Sequence, residues 1–362
     1  MNNGAVSAMA VKTNSFKAWW LAARPKTLTG AVAPVLVGGA MAFSMLYAKT
    51  FGMGWQFDWE DPICRKWLFD ALAPFLLCFL FAIVMQIDAN FINDYFDFKK
   101  GADRTDRLGP ERACSQGWIT PNAMRIGIVA ATLLSCIIGM SILLWHIQLE
   151  LVIVGLMCII FCFLYTTRLS YMGWGDVLVL VFFGLVPVVF THYVMTNGDW
   201  NIPLIIAGLG MGLATDNLLM VNNYRDRYQD KISGKRTIIV HIMERQTKKY
   251  GNETGTKKAE QIARNLYLWI GIFATLLALA SLFAIHLSST TSHHSSTTST
   301  LSSTLFSFPT LRYFPIIIYL ILHIRTSRQL CTLDGSDLNR VLGITARNIF
   351  LFGLLFAISI FL

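Results

Sequence analysis

Residues 68–112 read LFDALAPFLLCFLFAIVMQIDANFINDYFDFKKGADRTDRLGPER. The block 68–92 is apolar for long enough to cross a hydrocarbon core of roughly 30 Å as a helix. It runs without interruption into a segment dense in Asp, Asn, Lys and Arg. That junction predicts an all-α integral membrane protein whose ionisable groups gather at one membrane surface. Eight further blocks have the same apolar character, near 28–47, 123–145, 147–167, 174–195, 202–222, 265–287, 308–325 and 346–362, which makes nine transmembrane helices.

Composition agrees. Of 362 residues 54% are hydrophobic and 14% charged, with a mean hydropathy of +0.53. A soluble domain carries about 25% charged residues, so too little polar surface is present for a water-soluble globule. The first 27 residues are polar and basic and lack the apolar core of a cleavable signal peptide. They are expected to form a cytoplasmic or interfacial segment, in which Phe16–Leu21 is a helix with Trp19 and Trp20 at headgroup depth. Residues 28–362 form one nine-helix domain, with a Ser/Thr-rich, low-complexity outer loop near 288–307. Its adjacent His293 and His294 lack a third ligand for a metal site. Seven Cys stand singly; Cys158 and Cys162, one turn apart within a span, read as packing.

The net charge of +9 raises the question of nucleic acid, and its distribution answers it. With the N-terminus inside and nine spans alternating, all 30 Lys and Arg except Lys49, Arg65, Lys66 and Arg312 fall on the inner side. This is the positive-inside pattern; it sets topology and meets anionic lipid, and no nucleic-acid partner is needed to explain it. Two inner loops are long, near 93–122 and 223–264.

The informative residues lie where the second and sixth spans enter those loops. At 100° per residue Asn90, Asp94 and Asp97 share one helical face, as do Asn93 and Asp97. Gly101 and Gly109-Pro110 then break the helix and leave Asp103 and Asp106 on a loop that can fold back. In the second segment Asn222, Asp226 and Asp230 are spaced by four, followed by the basic stretch through Gly234-Lys235-Arg236. Hard oxygen donors without His or Cys suit Mg²⁺, which binds through a few carboxylates plus substrate phosphate. The interleaved Lys and Arg suit the outer oxygens of a diphosphate. Asp88 and Asp216 lie deeper, where an ionisable group is expensive; Asp88 is expected at the same cavity.

At these residues the sequence resembles the UbiA superfamily of intramembrane prenyltransferases, marked by an NDxxDxxxD-type motif after the second helix and DxxxD after the sixth. Asn93, Asp94 and Asp97 match the first motif, and Asp226 and Asp230 the second. Gly101 replaces the last acid of the first motif and Asp103 follows it. That departure is typical of the branch acting on 1,4-dihydroxy-2-naphthoate in menaquinone synthesis. Arg24-Pro25-Lys26-Thr27, the DRTDRLGPER run ending at Arg112, Gly173-Trp174-Gly175-Asp176 and the Asn222–Thr237 stretch resemble the same branch.

The resemblance implies nine helices around a central cavity capped by the two inner loops. It implies transfer of a polyprenyl group from a polyprenyl diphosphate to the naphthoate, with loss of CO₂ and release of a demethylmenaquinol. The setting is a bacterial inner membrane, with the N-terminus and the site loops cytoplasmic. Asn93, Asp97, Asp226 and Asp230 are assigned to Mg²⁺, joined by Asp103 and supported by Asp94 and Asn222. Lys100, Arg104, Arg107, Arg225 and Lys235 are candidates for the diphosphate. Tyr165 is the candidate to face the allylic cation, and Arg24 and Lys26 to anchor the acceptor carboxylate. Two other readings stand beside this one. A transporter would use Asp88 and Asp216 as pathway residues, but no internal repeat is visible. A superfamily member acting on 4-hydroxybenzoate, haem or a chlorophyllide is disfavoured by the NDYFDFKKGAD and DRLGP stretches.

Overall fold

The structure is a computed structural model that describes residues 11–51, 58–101, 108–145, 147–293 and 311–362, with side chains described outside 288–293. In chain order its helices are α1 (Phe16–Ala23), α2 (Pro25–Phe51), α3 (Pro62–Lys99), α4 (Pro121–Trp145), α5 (Leu149–Thr167), α6 (Gly175–Leu180), α7 (Val186–Met195), α8 (Ile202–Arg225), α9 (Arg227–Ile232), α10 (Ile238–Tyr250), α11 (Asn252–His293), α12 (Phe314–Thr332) and α13 (Leu338–Phe361). No strand occurs among the described residues. Among the described residues eight helical segments are long and apolar enough to cross a membrane, counting α6–α7 as one. The expected eighth span is the exception. Helix α12 occupies its place, but Arg325, Arg328 and Gln329 dilute its apolar character. It packs between α11 and α13.

The long inner loop expected over 223–264 is the main correction. Helix α3 continues through Lys99, as the expected break at Gly101 requires, so Asn93, Asp94 and Asp97 ride on the same rod as the apolar span. At about 1.5 Å per residue its 38 residues exceed any hydrocarbon core. The region 223–264 is mostly helical, formed by α9, α10 and the start of α11. Helix α10 is capped by Thr237, whose hydroxyl accepts from Val240 N–H, and buries only Ile239, Val240 and Met243. It is a two-faced helix laid on α11. The outer loop starts later than 288, because α11 runs to His293; the rest of 288–307 and the side chains of His293 and His294 lie outside the described residues.

Small residues bring the rods together. Lipid tails are as apolar as Leu, so membrane helices associate through close packing at Gly and Ala. The α6–α7 span contains a π turn, Val181–Leu185, where Gly184 lies against Gly208 and Gly212 of α8 with no room for a Cβ. Behind this contact α2, α7, α8, α11, α12 and α13 share one core containing Ala33, Met211, Ala274, Tyr319 and Phe352. Helices α3 and α4 form a second side, with Trp19 of α1 packed on Phe91 at 5.3 Å. Thus Trp19 docks into the bundle while Trp20 stays 56% exposed, so only the second matches the interfacial expectation.

Candidate active site

Between these two sides lies a cavity of about 370 Å³. Its wall is mostly apolar, with Phe81, Phe161, Phe182 and Phe190 among its aromatic residues. Polar groups cluster at one end, where Arg24, Asn93, Tyr165 and Asn222 reach the wall. Arg24 is aimed there by the turn between α1 and α2. It caps α1 in the left-handed region (φ 51°), its N–H donating to Leu21 C=O, a conformation that costs a non-glycine residue energy and persists only where the surroundings fix it.

The face shared by Asn90, Asp94 and Asp97 is divided among three tasks. Asn90 donates to Ala23 C=O (2.9 Å) and Thr27 Oγ1 (3.1 Å), fastening α3 to the α1–α2 turn. Asp94 accepts from the backbone N–H groups of Ala113 and Cys114, both at 2.9 Å, and so anchors the segment before α4. Arg24 stands 3.9 Å from it. Asp97 pairs with buried Arg112 at 2.7 Å. Asn93 instead accepts from the Thr166 hydroxyl at 2.6 Å, which draws the end of α5 to the same level.

The second segment keeps its spacing of four through a joint. Helix α8 ends at Arg225 and α9 begins at Arg227, yet Asp226 N–H still donates to Asn222 C=O and Asp230 N–H to Asp226 C=O. Arg225, almost fully buried, donates to both oxygens of Asp226 at 2.7 Å and to Asn222 Oδ1 at 3.0 Å. Its remaining arm donates to Asn339 Oδ1, whose amide donates to Leu108 C=O, each at 2.8 Å. Arg225 is therefore a brace inside the segment, and an outer diphosphate oxygen would have to share it. Lys235 lies 4.0 Å from Asp230.

The segments meet around two tyrosines. Lys100 sits 4.1 Å above the Tyr171 ring and Lys235 5.5 Å from it. Lys100 also donates to the Thr166 and Thr167 carbonyls at the end of α5. Burial holds the Lys100 ammonium below its ordinary pKa; Asp97 draws it back up and Lys235 pushes it down again. Tyr165 is within electrostatic reach of Asp97 and Asp230, of Asp176 in the first turn of α6, and of Asp216 within α8.

Several expected residues lie elsewhere. Lys26 is exposed and off the cavity wall. Asp88 does not reach the cavity: it accepts from Thr132 of α4 at 2.7 Å, on the other side of α3. Asp103, Arg104 and Arg107 lie outside the described residues. Conversely, Arg112, Asn339 and Tyr171 belong to the site's framework without having been assigned a part in it. Arg112 stood inside a quoted motif, but nothing in local spacing points to Tyr171 or to Asn339, the latter 114 residues from Arg225.

Oxygen donors alone fit Mg²⁺, but no three His, Cys, Asp or Glu side chains converge on one point among the described residues. Donors divided between two segments in this way would hold an ion together with substrate phosphate, as Mg²⁺ usually binds.

The family model of the UbiA prenyltransferase family matches residues 50–308. The chain is 32% identical over 234 residues to the 1,4-dihydroxy-2-naphthoate octaprenyltransferase of Haemophilus influenzae, covering 62% of this chain and 69% of that protein. It is 33% identical over 243 residues to the protein of the same name in Escherichia coli, covering 65% and 71%. For that of Mycobacterium leprae the identity is 30% over 277 residues, covering 74% and 85%. With its membrane bundle and two acid segments at one end of a single cavity, this chain belongs to the UbiA prenyltransferase family.

Proposed function

We propose that this protein transfers a polyprenyl group from polyprenyl diphosphate to 1,4-dihydroxy-2-naphthoate with loss of CO₂, giving demethylmenaquinol for menaquinone biosynthesis. The observation that carries the reading is that Asn93 and Asn222, one from each acid segment, reach the wall of the same apolar cavity. The names of the similar bacterial proteins support the acceptor. The positive-inside distribution supports a bacterial inner membrane with the acid-bearing end cytoplasmic.

Breaking the allylic C–O bond leaves a diphosphate with added negative charge and a delocalised cation. Asn93, Asp97, Asp226 and Asp230 would hold Mg²⁺, which when bound supplies Lewis-acid stabilisation of that leaving group. Asp103 belongs to the same proposed set. Arg112 and Arg225 keep Asp97 and Asp226 in place, and Lys100 and Lys235 offer positive charge beside them. The apolar wall keeps water from the cation until the ring attacks, with the Tyr165 π face toward it. Attack by the ring carbon bearing the carboxylate forms the C–C bond. The C–CO₂ bond then breaks, and its electron pair restores aromaticity without a protein base.

Purified protein with Mg²⁺, labelled polyprenyl diphosphate and carboxyl-labelled acceptor tests this. About one CO₂ per prenyl group is expected, with EDTA stopping the reaction and Mg²⁺ restoring it far better than Ca²⁺. Prenylated 4-hydroxybenzoate formed at comparable efficiency with its carboxylate retained would overturn the acceptor. Full activity in excess EDTA would overturn the metal.

A further inference from the structure

Two turns from Asn93, on the same face of α3, Gln86 lies on the cavity wall. Seven residues separate them, about 10 Å along the helix, so Gln86 stands deeper than the diphosphate level. It is 9% exposed. Its amide donates to Asn90 Oδ1 at 3.3 Å, and its Oε1 has no hydrogen-bond partner.

The direction of this chain is fixed from outside. A backbone carbonyl only accepts, so Ala23 C=O requires the Asn90 NH₂ to face it. That leaves Asn90 Oδ1 toward Gln86, which must answer with its NH₂. Gln86 Oε1 is then a buried, unpartnered acceptor on a side chain that lines an apolar cavity, and a buried acceptor left unmade is costly. A substrate group that meets it must carry a hydrogen-bond donor. Neither an ionised diphosphate nor a prenyl hydrocarbon has one; a ring hydroxyl of the aromatic acceptor does.

We infer that Gln86 binds the acceptor, its Oε1 accepting a hydrogen bond from one ring hydroxyl of the dihydroxynaphthoate. The inference rests on the proposed acceptor. It gives the cavity an order: diphosphate at Asn93 and Asn222, ring at the level of Gln86, acceptor carboxylate toward Arg24. A polar site built for a hydroxyl rejects analogues lacking it far more strongly than an apolar pocket does.

The test measures KM for 1,4-dihydroxy-2-naphthoate and polyprenyl diphosphate in the wild type, Gln86→Leu and the volume-conserving Gln86→Met. Inhibition constants for 1-hydroxy-2-naphthoate and 4-hydroxy-2-naphthoate are measured alongside, each lacking one hydroxyl. In the wild type one of the two is expected to bind at least about tenfold more weakly than the full acceptor. In the variants the acceptor KM rises by about that factor, the discrimination at that hydroxyl disappears, and the diphosphate KM stays within about twofold. Discrimination retained in the variants, or equal loss for all three naphthoates, would overturn the inference. If Gln86→Leu fails to fold, Gln86→Met carries the comparison. A wild type inactive on naphthoate would be seen without any variant; the proposed function would fail and this inference with it.

Discussion

The carboxylates at the mouth of the cavity and those inside the membrane are treated in opposite ways. Asp97 has Arg112, Asp226 has the Nε and one Nη of Arg225, and Asp230 has Lys235 nearby. Asp88, Asp176 and Asp216 have no ion-pair partner among the described residues; Asp88 has only the Thr132 hydroxyl, and one oxygen of each of the three lacks any hydrogen bond. Asp176 on α6 and Asp216 on α8 lie within electrostatic reach of each other, between the contacts of Leu180 with Gly212 and of Gly175 with Leu219. Among these acids, positive charge is therefore supplied where a diphosphate leaving group would be held and not deeper in the bundle. A buried pair costs desolvation and is poor evidence of stability; here it fixes where the acid oxygens stand.

The comparison breaks most sharply if the mouth acids can be removed. Asp97→Ala and Asp226→Ala should each lower kcat by at least about 10³-fold, as loss of the principal leaving-group stabilisation requires, while the protein still inserts and purifies. Near-normal turnover in either variant would remove that residue from the site. Next in size, Arg225→Met should lower kcat/KM about 10–100-fold, the usual effect of losing a group that orients a ligand. The Mg²⁺ concentration for half-activity should rise with it, because Asp226 loses both its hydrogen bonds. An unchanged Mg²⁺ requirement would mean that Arg225 braces the fold alone. Asp216→Asn sharpens the contrast from the other side. The amide keeps the shape and uncovers no partner charge, so activity should stay within about twofold. A large loss would show that the deep acids take part in the reaction.

How much of this was legible in the chain follows from the range of each interaction. Apolar blocks report their own length, so the spans could be read directly, apart from α12 with its arginines. Both acid segments were also visible, because spacing along one helix fixes which side chains can share a face. Their partners were not. Asp94 is committed to the backbone of Ala113 and Cys114, and a backbone donor leaves no mark in a sequence. The continuation of α3 to Lys99 was legible from the break at Gly101, whereas α10 was hidden because its polar composition resembles that of a loop; the Thr237 cap and the apolar triplet Ile239, Val240 and Met243 were the signals available. Gln86 stood in the quoted stretch, but its unmet oxygen becomes visible only once Ala23 is placed beside Asn90.

The central claim is that the two acid segments form one Mg²⁺–diphosphate site. It is tested most directly by a double-mutant cycle between Asp97→Asn and Asp226→Asn on the Kd of a non-reactive prenyl thiolodiphosphate in Mg²⁺. Each single variant is expected to weaken binding at least about tenfold, and the double variant scarcely more than the weaker single, because residues that act on one ligand are non-additive. Additive losses, or single variants that bind as the wild type does, would contradict the claim.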